Sequence, residues 1–179
     1  MKNNRLIGGI KVDIHVLILT FLIIFMLHNL EEIITIERWF KNTYPRLRGR
    51  IPVLVQKVID NFSNITAAQF AVAVLMISLV ASLLLIITVT TQYYFLFLGL
   101  NMLFALNIFT HPIQAILLRC YTPGVWTTLL LILPYNIIFF YHFYIEGLLT
   151  INMILSGLVV MVLCMPFVFL GHKIAEKWK

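Results

Sequence analysis

The segment Ile14–Ile36, IHVLILTFLIIFMLHNLEEIITI, decides how this chain is built. It is apolar over enough length to cross a hydrocarbon core, which takes about 20 residues of helix. Inside it sits His28-Asn29-Leu30-Glu31-Glu32, flanked by Ile14–Leu27 on one side and Ile33, Ile34 and Ile36 on the other. A charge held in lipid is unfavourable by about 2.5–3.5 kcal/mol on insertion scales. Two adjacent carboxylates there call for partners, a bound cation or a reaction.

The composition supports the same reading. Of 179 residues, 61% are hydrophobic and 11% charged, with a mean hydropathy of +0.99. That is far from the balance of soluble domains, and the length suits one compact membrane bundle spanning residues 1–179 rather than several domains. The net charge of +6 does not point to nucleic acid, because the basic residues gather between apolar segments and at the termini. Cys120 and Cys164 lack CxxC spacing and read as small buried hydrophobes. The basic residues before the first span suggest a leader, but no small-residue cleavage site follows, so the segment is expected to be retained.

Five stretches are long and apolar enough to span: about 14–36, 67–91, 93–118, 125–145 and 151–171. The spacing predicts an all-α bundle of five transmembrane helices. Thr66-Ala-Ala-Gln69 has the pattern of a reciprocal helix cap. Only Gln92 separates the second and third spans, which implies a tight antiparallel hairpin. Pro112, Pro134 and Pro166 fall within spans and are expected to kink them. The long connection 37–66 carries Arg38, Lys41, Arg46, Arg48, Arg50 and Lys57. Within it Val53, Leu54, Val58, Ile59 and Phe62 are spaced for one face of a surface-lying helix.

Lys2, Arg5 and Lys11 lie on one side of the membrane in this arrangement, and the other ten basic residues on the opposite side. The bias predicts an N-terminus outside and a cytoplasmic C-terminus, in a multi-pass protein of the cell membrane.

Positions i, i+3 and i+4 share a helix face, so His28, Glu31 and Glu32 point together. The third span carries Asn107-Ile-Phe-Thr-His111, again one face. His28 precedes the end of its apolar run by about as many residues as His111 precedes the end of its own. At 1.5 Å per residue both lie roughly 10–12 Å in from the same membrane face. His172, Arg119, Tyr121 and Thr127 fall on that side too. Asp13, His15 and His142 fall at the other, where Phe139–Tyr144 reads as an interfacial aromatic belt. His172, just past its span, reads as a surface residue. Asn136, beside Pro134, is placed to satisfy a carbonyl freed by the proline.

The pattern His28-Asn29-Leu30-Glu31-Glu32, with Asn107…His111 in a later span and Tyr121-Thr122-Pro123-Gly124 after it, resembles the HXXEE family of multi-pass membrane proteins over about 14–145. The resemblance implies a membrane enzyme and brings no reaction with it.

Three chemistries fit these residues. His28, Glu31, Glu32 and His111 are metal-ligand types, suited to zinc or iron, with Asn107 orienting a ligand or the substrate. Without a metal, one carboxylate would keep its proton while the other acts as base and a histidine shuttles. Alternatively the groups hold helices together, with the carboxylates protonated or paired to Arg119. The expected function is an intramembrane hydrolase or acid–base enzyme acting on an amphiphilic or lipid-like molecule. Glu31, Glu32, His28, His111 and Asn107 form its site, and Tyr121, Thr127 and Arg119 are candidates for substrate contact. The competing class is a non-catalytic membrane protein that binds a small molecule, protects the cell or conducts protons. No oligomeric state is implied.

Overall fold

A computed structural model describes residues 13–177, apart from the side chain of Val58. Lys2, Arg5, Lys11 and Lys179, used above for orientation, lie outside the described residues, as does the contribution of Val58 to the surface-helix face. The described chain is helical, with no strand. Its elements are α1 (Ile14–Asn42), α2 (Tyr44–Leu47), a 3-10 turn (Arg48–Arg50), α3 (Val53–Asp60), α4 (Ala67–Thr91), α5 (Tyr94–Ala105) and α6 (Asn107–Leu118). These are followed by α7 (Val125–Thr127), a π-helical segment (Thr128–Ile132), α8 (Leu133–Ile145) and α9 (Ile151–Lys177). Five continuous stretches are long and apolar enough to cross a membrane: α1, α4, α5 with α6, α7 with α8, and α9.

Local chemistry sets the ends. The Asp13 side chain caps α1 by accepting from the His15 N–H at 2.9 Å. The expected reciprocal cap at Thr66 and Gln69 is present, with both bonds formed. Gln92 takes a left-handed conformation, φ 61°, and closes the turn from α4 into α5. Helix α1 outruns its apolar run and continues to Asn42, carrying Glu37 and Lys41, which pair at 2.5 Å. Glu37 also accepts from the Ala67 N–H at 2.9 Å, tying the end of α1 to the start of α4.

The prolines act unequally. The third span is interrupted at Leu106, upstream of Pro112, rather than running as one helix. The π-helical segment lies just before Pro134, where a register with a missing donor has to be absorbed. Asn136 Nδ2 donates to the Ile132 carbonyl at 2.9 Å, not to the carbonyl that Pro134 frees a turn upstream of itself, and its Oδ1 accepts from Asn101 Nδ2 at 2.9 Å. Pro166, by contrast, sits inside an uninterrupted α9.

The core is aromatic. Phe21 meets Phe97 edge-on at 5.5 Å and Phe104 at 5.3 Å, and Phe139 lies 4.2 Å from Phe143. Large apolar side chains such as Ile34, Ile116 and Phe169 face outward, as a lipid-facing surface requires. Helix α9 packs most extensively along α4 and α5. The closest approach is at Gly99, where an added Cβ would lie 2.5 Å from the Gly157 carbonyl oxygen and 2.6 Å from Val160 Cβ. Small residues let membrane helices gain dispersion contacts that a lipid-facing pair would lose.

Two histidines differ from expectation. His142 is buried, not displayed in a headgroup belt. His172 is half-buried, its ring 6.1 Å from Phe62 and 5.9 Å from Phe70. The reason is the surface connection. Residues 61–65 fold back towards α9 and cover what the sequence leaves as an exposed helix end.

The surface helix α3 is fastened at one end. Tyr44, buried against Trp39, donates to Asp60 Oδ1 at 2.7 Å, and Arg48 donates to Asp60 Oδ2 at 2.9 Å. Burial, then the bond to Asp60, pushes the Tyr44 phenol up to about 12, so it stays a donor. The same bond holds the Asp60 carboxyl below the usual carboxylate range.

Two outcomes follow from this packing. Gly99→Leu should separate α5 from α9 and destabilise the bundle by about 1–3 kcal/mol or more. Gly49→Leu, where an added carbon meets nothing within 4 Å, should leave unfolding in detergent unchanged. Because the Asp60 pKa is lowered by folding, the fastening is in full force above the ordinary aspartate value of 3.8 and is lost as pH falls through the lowered one. Amide exchange in α3, corrected for its intrinsic rate, should rise in that acid window and already be fast at neutral pH in Asp60→Asn.

Candidate metal and acid–base site

The two neighbouring carboxylates of α1 turn to different partners. Glu31 is held by the fourth span. Its Oε2 accepts from the Thr127 backbone N–H at 2.8 Å and from Thr127 Oγ1 at 2.6 Å, and its Oε1 accepts from the Tyr121 hydroxyl at 2.8 Å. Thr127 belongs to the first turn of that span, where backbone donors have no partner within the helix and favour an anion. Burial pushes the Tyr121 phenol up to about 12, so at neutral pH it presents a proton to the carboxylate.

Glu32 turns to the histidines. Its Oε2 lies 3.8 Å from His28 Nε2 and its Oε1 lies 3.4 Å from His111 Nε2. The two imidazole rings stand edge to face, 5.0 Å apart at 77°. Ligand atoms of His28, Glu32 and His111 all fall within 4.8 Å of one another. This group could hold a metal ion. Donor atoms about 2.0–2.1 Å from a tetrahedral ion stand roughly 3.3–3.4 Å apart; the His111–Glu32 separation matches this, and the wider ones would close on an ion. His28 is 1% exposed and His111 7%, so water is largely excluded from the histidine side.

The two halves are joined through Thr127. His28 Nδ1 lies 2.8 Å from Thr127 Oγ1. A hydroxyl carries one proton, and Thr127 gives it to Glu31 at the shorter distance of 2.6 Å. Its oxygen is then left to accept from His28 Nδ1–H. This proton order fixes the tautomer in which the His28 Nε2 lone pair faces Glu32 and His111, the orientation a metal-binding histidine takes from its outer partner. His111 likewise aims Nε2 at Glu32, while its Nδ1 is buried against the Pro123-Gly124 turn.

The turn Tyr121-Thr122-Pro123-Gly124 presses on the same rings. Gly124 has φ +82°, and a Cβ there would stand 2.7 Å from His111 Cε1 and 2.9 Å from His28 Cε1. Trp39 Nε1 donates to the Tyr121 carbonyl at 2.6 Å and anchors the turn to α1.

The structure thus brings His28, Glu32 and His111 together, with Glu31 one bond further out. Asn107 does not touch them. It lines, with His28, Asn29, Glu32 and His111, a cavity of about 560 Å³ between α1, α4, α6 and α9. A second cavity of about 510 Å³ opens beneath α3, walled by Leu54, Val55, Ile59 and Trp39, and also reaches Glu32 and His111. Arg119 is exposed, and among the described residues it forms no ion pair with either glutamate. The pairing considered for it is absent because α6 ends at Arg119 in a left-handed turn, φ 51°, with the side chain exposed. Sequence reasoning undervalued Tyr121 and Thr127, taken only as substrate contacts, and missed Gly124. The available signal was their clustering around one Pro-Gly turn.

Gly124→Ala should cost about 1–2 kcal/mol for left-handed backbone alone, plus the overlap with both rings. Gly147 shares a left-handed φ of +70° but has nothing within 4 Å of an added carbon. Gly147→Ala should therefore show the backbone part only, and unfolding of the two variants in detergent measures the difference.

Comparison with known proteins agrees with the position of these groups. The family model described as "Protein of unknown function with HXXEE motif" matches residues 19–139. An uncharacterized protein, YrkK of Bacillus subtilis (strain 168), is 27% identical over 158 residues, covering 84% of this chain and 90% of that one. No solved structure matches the chain. The matched region runs over well over half of the sequence and holds His28, Glu31, Glu32, His111 and Thr127, and the chain belongs to the HXXEE family.

Proposed function

We propose that this protein is an intramembrane hydrolase of amphiphilic, lipid-like molecules, with a metal site formed by His28, Glu32 and His111. The observation that carries the reading is the convergence of those three ligand atoms within 4.8 Å, at the meeting point of two largely apolar cavities. Two imidazoles and one carboxylate leave coordination positions open for water and substrate, the arrangement of catalytic rather than structural zinc, and also of non-haem iron. Such an ion, when bound, would polarise an acyl or phosphoryl oxygen and lower the pKa of water.

The chain's own residues do the rest. Glu31, through Thr127, holds His28 in the required tautomer and is a positioning residue rather than a ligand. Asn107 and Gln114, on the cavity wall, offer amides to a substrate oxygen. The apolar walls exclude bulk water and accept a hydrocarbon chain. The basic-residue bias supports an N-terminus outside and a cytoplasmic C-terminus in the cell membrane, placing the site in the cytoplasmic half of the bundle.

The test is turnover of an ester-linked acyl amphiphile panel by the protein in lipid nanodiscs. Wild type should release free acid. Glu32→Gln and His111→Ala should each lower the rate by about 10²-fold or more, because each removes a ligand of an ion that would stabilise transition-state charge by several kcal/mol, while the bundle stays folded. Glu31→Gln should keep a measurable rate and weaken metal affinity by about 10–100-fold. Activity that persists after exhaustive chelation but is lost in Glu32→Gln would favour metal-free acid–base chemistry at the same three groups. A Glu32→Gln effect confined to stability would favour the non-catalytic class.

A further inference from the structure

Next to the cavity beneath α3 lies a smaller pocket of about 150 Å³, formed by Asn61, Asn64, Gln69, His172 and Glu176 with Phe62 and Ile65. Phe62, Ile65 and His172 also line the larger cavity that reaches Glu32 and His111, so the two spaces share a wall. His172 borders the third cavity as well, the one that holds His28 and Asn107. The succession runs from polar pocket to apolar passage to the histidine–carboxylate cluster and on to a deep apolar space. It has the polarity profile of a single amphiphile, with its reacting group between a polar head and a hydrocarbon tail.

The pocket's chemistry narrows the head. Three carboxamides, an imidazole and one carboxylate supply both donors and acceptors. Among the described residues neither Lys nor Arg lines it, and guanidinium or ammonium groups are the usual readers of phosphate. A helix N-terminus can replace them, and α4 begins beside this pocket. Two of its first-turn donors are already taken, however: the Ala67 N–H by Glu37 at 2.9 Å and the Gln69 N–H by Thr66 Oγ1 at 3.1 Å. Glu176 adds a negative charge that a phosphate would have to approach. One buried polar atom lacks a partner: His172 Nδ1 is buried with no hydrogen bond among the described residues. His172 lines the pocket, and a turn of its ring would bring this desolvated nitrogen to a ligand able to supply the missing bond. A volume of about 150 Å³ suits a small head such as glycerol or an amino-alcohol.

We infer that the pocket between residues 61–69 and the end of α9 is a headgroup site. It selects amphiphiles with a small, non-anionic, hydroxyl- or amine-bearing head and rejects phosphate heads, with His172 as the specificity-determining residue. The inference rests on the reading of the adjoining site as one for lipid-like substrates and adds the substrate class.

The test uses a ligand that cannot be cleaved. A tritiated octadecenyl glycerol monoether and its phosphate monoester are titrated onto the full chain in phosphatidylcholine nanodiscs, by scintillation proximity, with and without chelator. The glycerol ether should bind saturably, about one per chain, and at least tenfold more tightly than the phosphate form. His172→Phe should weaken the glycerol ether at least tenfold and abolish the preference. Asn64→Leu, at an exposed rim position, should weaken it at least threefold, and carries the test if His172→Phe does not fold. Equal binding of both heads, absence of saturable binding, or affinities unchanged in the folded variants would overturn the inference. Because the probe needs neither metal nor turnover, binding by a protein that takes up no zinc or iron when these are added back would sink the metal reading and leave the headgroup site standing.

Discussion

Two adjacent carboxylates inside a helix long and apolar enough to cross a membrane are the constraint on which this structure turns. Each is unfavourable in lipid, and both left alone in one dry cavity would repel. The fold separates them by one helical step. Glu31 receives three hydrogen bonds from Thr127 and Tyr121, and Glu32 faces two imidazoles. One carboxylate is neutralised by donors from the start of the fourth span. The other is left with groups that can share a proton or a cation. The break before Pro112, the π-helical segment before Pro134 and the left-handed Gly124 all lie on the elements that bring these partners to α1. The irregular backbone of the bundle is concentrated around its polar site.

This division gives the motif a physical content. His28 and Glu32 form one wall of the site, and Glu31 supports it from behind by way of Thr127. The support runs through a hydroxyl whose single proton sets the direction of the whole chain of bonds. A metal ligand without such an outer partner rotates and changes tautomer, and geometry at the ion is lost with it. Gly124 contributes sterically: only a residue without Cβ lets the turn sit against both rings.

Much of this was legible in the sequence, and the reasons for the gaps are physical. The five long apolar helices, the Thr66–Gln69 cap and the helix from Val53 follow from hydropathy or local hydrogen bonding. The common depth of His28 and His111 follows from helical rise. Local patterns do not say which way a side chain turns once two polar groups share a face, so Glu31 and Glu32 stood as equivalents. The partners of Glu31 are supplied from about 90 residues away. The break at Leu106 depends on how the third span packs. The enclosure of His172 depends on where residues 61–65 fold back, and neither leaves a periodic signal.

The central claim is that His28, Glu32 and His111 form a metal site, and elemental analysis tests it most directly. The protein is purified in mild detergent without chelator and compared with a His28→Ala, Glu32→Ala, His111→Ala variant of matched folding. The account predicts about one zinc or iron per wild-type chain and none in the variant. No metal in the wild type, even after zinc and iron are added back and excess ion is removed, would contradict it.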